Sequence, residues 1–339
     1  MKETKYGIIS DIHGNPNVVI PTIDILKTKG VDRLLVNGDI GHLDGDLRES
    51  VENGGLRRSV DYTSYILARL GESGIETYVQ PGSHEPVAVY DQAMDFFEDK
   101  FSNIFNAVSI PFIDGEDHRI VFLPGSDFVS GGEYIIGDNR LSSGRYVNAG
   151  ENGSQLVRCA GWKQHLQAIA EHGKGFYYSN MNDLRSSVKE PEKTIVICHI
   201  PRKFDNLVTC VDMAVFGEAT KDFILNDNPV EKGLIFPIET ARKVASAGAP
   251  VSLKQENRGN EELRKLYNEI GIRKAVSGHF HESSHRANNS NGEHVKQGEY
   301  VDGLFWNSGC LDFGHCGILS VRDGKVRYEN IDLRDFLKN

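Results

Sequence analysis

The chain has 339 residues, of which 39% are hydrophobic and 25% charged, so it is long and apolar enough for a sizeable folded core and unlike a fibre or a largely disordered chain. Its formal net charge of -10 works against a broad basic surface of the kind that binds nucleic acid by counterion release, and a nucleic-acid partner would need a local patch. No apolar run approaches the roughly 20 residues of a membrane-spanning helix. The N-terminus enters the strand-like Tyr6-Gly7-Ile8-Ile9 without a signal peptide, and Cys159, Cys198, Cys210, Cys310 and Cys316 are an odd, sparse set typical of reduced thiols; a cytoplasmic location is expected.

In chain order, Ile8 and Ile9 end a first strand, and Asp11-Ile12-His13 follows it directly. Apolar residues at helical spacing run from Val18 to Leu26, and Leu34 to Val36 is again strand-like, leading into Gly38-Asp39. A helix from Ser59 to Leu70 carries Tyr62, Tyr65, Ile66 and Leu70 on one side. The strand through Thr77 to Val79 then ends in Pro81-Gly82-Ser83-His84-Glu85. This βαβαβ order favours a sheet with much parallel pairing, whose strand ends gather polar residues along one edge.

Further strands are read at Val121–Leu123, Thr194–Cys198, Lys274–Val276, Leu304–Trp306 and Gly317–Val321. Two of them end in ligand-type residues: Cys198 runs into His199, and Val276-Ser277 into Gly278-His279-Phe280-His281. Two long stretches, about 125–192 and about 201–260, interrupt the pattern within a single domain covering 1–339. They read as insertions that form a cap, substrate loops or plain surface elaboration.

One Asp-x-His after a strand is more often a helix cap than a ligand pair. Here strand after strand delivers Asp or His beside a Gly or a turn, and Gly278 lets both imidazoles of His279 and His281 face one spot, so metal binding is the better account. The ordered set D-x-H, G-D, G-x-H-E, H and G-H-x-H resembles the calcineurin-like metallophosphoesterase superfamily from Asp11 to His281. The resemblance implies an α/β fold, a sandwich of two mixed β-sheets flanked by helices. It also implies a pair of divalent cations at the strand ends, with Asp11, His13 and His281 on one cation, His199 and His279 on the other, and Asp39 bridging. Mixed carboxylate and imidazole donors suit Mn, Fe or Zn rather than Ca. Two such cations would activate a bridging hydroxide for direct attack on a phosphoester, with His84 as general acid or as a hydrogen-bond donor to the phosphate.

Two positions depart from the superfamily pattern. Ser83 stands where Asn normally ligates the second metal, so that this cation is held by the hydroxyl, through a water, or only with substrate present. Where many members read G-D-x-x-D, Gly38-Asp39-Ile40-Gly41-His42 places an imidazole at the position of the carboxylate that orients the catalytic His; Asp44 is an alternative partner. Leu43 occupies the place of the phosphate-binding Arg of serine/threonine protein phosphatases, which lowers that reading. The first insertion carries Arg140, Arg145, Trp162, Lys163, Tyr177 and Tyr178, a mixture able to pair with phosphate and stack on a base or to form an ordinary amphipathic surface.

The expected function is metal-dependent hydrolysis of a phosphoester, leaning to a phosphodiester or nucleotide. The alternatives are a phosphomonoesterase and a non-catalytic scaffold on a decayed fold. The sequence leaves the natural substrate and the oligomeric state open.

Overall fold

A computed structural model describes residues 2–13, 15–41, 55–127, 132–138, 140–150, 155–226 and 228–336. The first half of the fold is β1 (Thr4–Ile9), α1 (Val19–Thr28), β2 (Arg33–Asn37), α2 (Gly55–Glu72), β3 (Glu76–Gln80), α3 (Val87–Lys100) and β4 (Ile104–Asn106). These strands pair in parallel, as the alternating pattern requires. An antiparallel pair of strands then begins a second sheet, β5 (Phe112–Asp114) and β6 (Arg119–Leu123).

Within the first insertion the chain forms β7 (Ser126–Asp127), β8 (Tyr134–Gly137), β9 (Gly144–Ala149), β10 (Gln155–Cys159), α4 (Trp162–His172) and β11 (Gly175–Asn180), giving a five-stranded sheet in the order β10-β9-β11-β8-β7. After the short α5 (Leu184–Ser187) comes β12 (Thr194–Cys198), which pairs in parallel with β6. The second insertion contributes β13 (Met213–Ala219), the hairpin β14 (Phe223–Leu225) and β15 (Asn228–Val230), β16 (Ile235–Pro237), α6 (Ile238–Ser246) and β17 (Val251–Asn257). Its sheet runs β16-β13-β17. The chain returns to the core through α7 (Glu261–Ile270), β18 (Lys274–Ser277), β19 (Ala287–Asn288), β20 (Leu304–Asn307), β21 (His315–Arg322) and β22 (Lys325–Asp332).

The core is thus two six-stranded sheets, β22-β21-β1-β2-β3-β4 and β19-β20-β18-β12-β6-β5. Alternation along each strand assigns its residues to two layers. Tyr6, Ile8, Leu35 and Tyr78 meet Phe122, Ile195, Ile197 and Trp306 between the sheets. Their neighbours Ile9, Leu34, Val36 and Val79 pack outward on α1, α2 and α3, while Val196 and Cys198 pack on α5 and α7. Central strands buried on both faces read as unbroken apolar runs, which is why they were legible. The mixed α/β sandwich expected from the sequence is what forms. The C-terminal ends of β1, β2, β3, β12 and β18 therefore lie along one edge.

The first insertion is anchored to α3. Arg145 donates to both carboxylate oxygens of Asp91 at 2.6 Å, and Trp162 donates from its indole to Asp95 at 3.0 Å. Among the described residues, no helix is long and apolar enough to cross a membrane.

Candidate metal centre

The loops that leave the parallel strands bend sharply at several of the residues expected at the site. Asp11, His13, Asp39 and His279 have φ of 54°, 38°, 53° and 67°, the left-handed region that L residues seldom occupy. A Cβ at Gly278 would collide with Ser10 Oγ and Asp11 Oδ2, so only glycine lets the β18 turn close on the β1 turn. His279 N then donates to Asp11 Oδ1 at 3.1 Å. The loops after β2 and β3 are joined by Glu85, whose buried carboxylate accepts from the backbone amides of Gly82 (2.6 Å), Ile40 (2.5 Å), Gly41 (2.9 Å) and Asp39 (3.3 Å). Burial and the nearby Asp39 charge push Glu85 up to about 7.

Among the described residues, three groups of side chains have their donor atoms within 4.8 Å of one another: Asp11, His13 and His281; His13, Asp39 and His84; and Asp39, His199 and His279. His281 Nε2 lies 3.2 Å from Asp11 Oδ1 and 3.2 Å from His13 Nε2, and His199 Nε2 lies 3.0 Å from Asp39 Oδ2. Donors bound at about 2.1 Å to one cation stand roughly 3.0–3.4 Å apart, so these spacings match a shared ion. His199 supplies a sharper test. Its Nδ1 donates to Asn37 O at 2.8 Å, so in the neutral ring Nε2 carries the lone pair, and this buried atom, although 3.0 Å from Asp39 Oδ2, makes no well-directed hydrogen bond within the protein.

The electrostatics agree. Burial works to raise Asp11, but His199 and hydrogen bonds from His13 and His281 hold it well below the usual carboxylate range, and Asp39 is lowered in the same way, first by His199. Burial works to lower His199 and His281, yet Asp39 and Asp11 lift His199 to about 10, and the bond to Asp11 lifts His281 to about 11. Burial, then the charge of His199, pushes His279 down to about 4. Two buried carboxylates thus create a potential that calls for positive charge, which protons or a divalent cation can supply. The donor set fits a metal.

Of the residues expected at the site, Asp11, His13, Asp39, His84, His199, His279 and His281 all reach this edge. His84 is exposed, with its ring 4.6 Å from that of His13. Ser83 Oγ donates to Asp39 Oδ2 at 2.9 Å, on the oxygen that also faces His199. His42, with Leu43 and Asp44, lies outside the described residues.

A family model described as calcineurin-like phosphoesterase matches residues 4–283. The chain belongs to the calcineurin-like phosphoesterase family. As a calcineurin-like phosphoesterase it is a metal-dependent phosphoric ester hydrolase with a phosphoester substrate. The chain is similar over 98% of its length to all of a Thermus thermophilus protein of known crystal structure, at 12% identity and a TM-score of 0.48. It is also similar over 97% of its length to 99% of a dimetal phosphatase from Danio rerio, at 10% identity and a TM-score of 0.42. No match was found among curated proteins.

A cleft of about 870 Å³ opens on this edge at His279, Phe280 and His281, with walls drawn largely from the two insertions. Of the two readings open for the residues of the first insertion, phosphate and base contacts or an ordinary surface, the second fits their placement. None of Arg140, Arg145, Trp162, Lys163, Tyr177 and Tyr178 lines the cleft; Arg145 is spent on Asp91 and stacks 5.4 Å over Tyr177, and Lys163 lies over Trp162. Instead Phe216, Phe236 and Phe280 line it, with Lys203 and Arg258. These come mainly from the second insertion, where no motif marks them.

Proposed function

We propose that the protein is a phosphodiesterase that binds its substrate in the cleft over the metal edge. In this reading Asp11, His13 and His281 hold one divalent cation, His199 and His279 hold a second with Ser83 beside them, and Asp39 bridges. Manganese, iron or zinc suits the mixed donors. When bound, such cations acidify water and offset charge on phosphoryl oxygens. The protein's own part is to fix the donors and to receive the substrate. His199 is oriented by its bond to Asn37 O, Asp39 by amide donation from His84 and Ser83, and the two loops by Glu85. His84, exposed beside His13, is placed to donate a proton to a phosphoryl or leaving oxygen. The two insertions serve as the walls of the substrate cleft.

The observation that carries the diester is the charge of that cleft. Among the described residues, Asp127, Asp138, Glu256, Glu261, Glu262 and Glu282 line it against Lys203 and Arg258 as the only lysine and arginine. A diester brings one negative charge, whereas a monoester brings about 1.5–2 at neutral pH, and an acidic wall penalises the second charge most. The same wall makes a polyphosphate nucleotide a poor fit. Comparing bis-p-nitrophenyl phosphate with p-nitrophenyl phosphate in the presence of Mn tests this. A higher kcat/KM on the diester is expected, and clear preference for the monoester would overturn it.

A further inference from the structure

Behind the metal edge, where β12 and β18 separate, lies a small cavity in a largely apolar surround that also holds Ser277, Tyr267 and Arg202. The two strands pair as Val196 with Ala275 and Ile197 with Val276. They are next joined by Gly278 N donating to His199 O at 2.9 Å. Between those links is a space of about 10 Å³, lined by Cys198, Ser277, Tyr267, Arg202 and Phe305 among others. Three polar atoms of these lining residues, Arg202 Nε, Tyr267 Oη and Ser277 Oγ, are buried and have no hydrogen-bond partner within the protein. All three side chains belong to residues less than a tenth exposed, at 5%, 1% and 4%.

Arg202 is the most telling of the three. Its guanidinium is held between the rings of Phe204 and Phe305, at 4.4 and 4.8 Å, and donates to Asn268 Oδ1 at 3.0 Å and Ser290 O at 3.2 Å. Among the described residues it has no carboxylate partner, and its Nε–H can only donate. Buried polar atoms in folded proteins are nearly always satisfied, and a cluster of three unsatisfied ones around a single gap is the usual signature of a bound water.

We infer that this cavity is a binding site for one internal water molecule. The water accepts from Arg202 Nε–H, and its remaining lone pair and two protons serve the hydroxyls of Tyr267 and Ser277. The space matches the ~10–15 Å³ that one water needs. The site ties α7, through Tyr267, and the exit of β12, through Arg202, to Ser277, two residues before His279. Cys198 and Ile200, on either side of His199, line the same cavity. The water therefore pins the backs of the two turns that carry His199 and His279, and it is a positioning element that does not meet the substrate.

A crystal structure of the full chain with ordered solvent tests this directly. One peak about 2.7–3.2 Å from each of the three atoms is expected. An empty cavity, a direct bond between two of the three side chains, or a halide revealed by anomalous scattering after a bromide soak would overturn it. In solution, water magnetic relaxation dispersion should count one fewer long-lived water in Ser277→Val, whose added methyl fills the gap. An unchanged count in a folded variant would also overturn it, and if that variant does not fold the wild-type crystal structure decides. Neither readout passes through activity, so the inference stands or falls apart from the diester reading.

Discussion

Replacing Glu85 by Gln should loosen the metal edge without touching a proposed ligand. The carboxylate accepts from four backbone amides, two on each oxygen: Ile40 and Gly41 on Oε1, Gly82 and Asp39 on Oε2. Gln keeps one oxygen and turns an NH2 toward the other pair. With Oε1 facing Ile40 and Gly41, the 2.6 Å bond from Gly82 and the long 3.3 Å bond from Asp39 are lost. A buried donor left unmet costs about 1–3 kcal/mol, and the second bond is weak, so about 2–4 kcal/mol of stability should go. For a chain of this size that is roughly 3–6 °C in Tm. Because the loops so released carry Asp39 and Ser83, Mn affinity should fall about 10–100-fold as well, the usual effect of removing a partner that holds a ligand in place. Scanning calorimetry and Mn titration at pH 8, where the carboxylate is ionised, measure both. A Glu85→Gln protein within about 0.5 kcal/mol of wild type that binds Mn equally well would refute the idea that this carboxylate holds the two loops together.

Chelation followed by dialysis should abolish phosphoester hydrolysis, and Mn or Zn should restore it better than Ca, which prefers more oxygen donors than this imidazole-rich set offers; full activity in excess chelator would contradict it. Asp39→Asn should lower kcat by about 100-fold or more and bind fewer metal equivalents by elemental analysis, and near-native turnover with unchanged metal content would remove Asp39 from the bridging role. Ser83→Asn should tighten metal binding by calorimetry, because an amide oxygen reaches further than a hydroxyl now donating to Asp39 at 2.9 Å; unimproved affinity would show that Ser83 already suffices. Burial lowers His118 below its usual value of 6.5, its Nδ1–H donates to Asp117 at 2.7 Å and its Nε2 accepts from Tyr6 at 2.6 Å, an arrangement that needs the neutral ring. The unfolded chain therefore takes up the proton first, and stability should be full above about pH 6.5 and decline below it. Urea midpoints for His118→Gln should lose part of that decline, and an unchanged slope would count against it.

The proposed ligands were legible because each follows an apolar run that is buried on both faces, so the strand ends and the polar residues beyond them could be placed from pattern alone. Glu85 was visible only as a motif letter. Its bonds to Ile40 and Gly41 span more than forty residues of sequence and exist once two loops have folded against each other. The cleft lining was not legible because periodicity does not show which face of an insertion turns inward: Arg145 and Trp162 could be substrate contacts or plain surface in sequence, and Asp91 and Asp95 on α3 claim them. Nor does any propensity announce a left-handed Asp or His, since that conformation is imposed by the turns on residues that would otherwise avoid it.

That imposed conformation bears on how the protein ages. Each of Asp11, His13, Asp39 and His279 holds strain on the order of 1 kcal/mol or more, concentrated in a few turns at the rim of a rigid double sheet. Warming lets such turns relax long before the sheets separate. On that ground metal affinity should be lost on warming at a lower temperature than the circular-dichroism signal of the sheets.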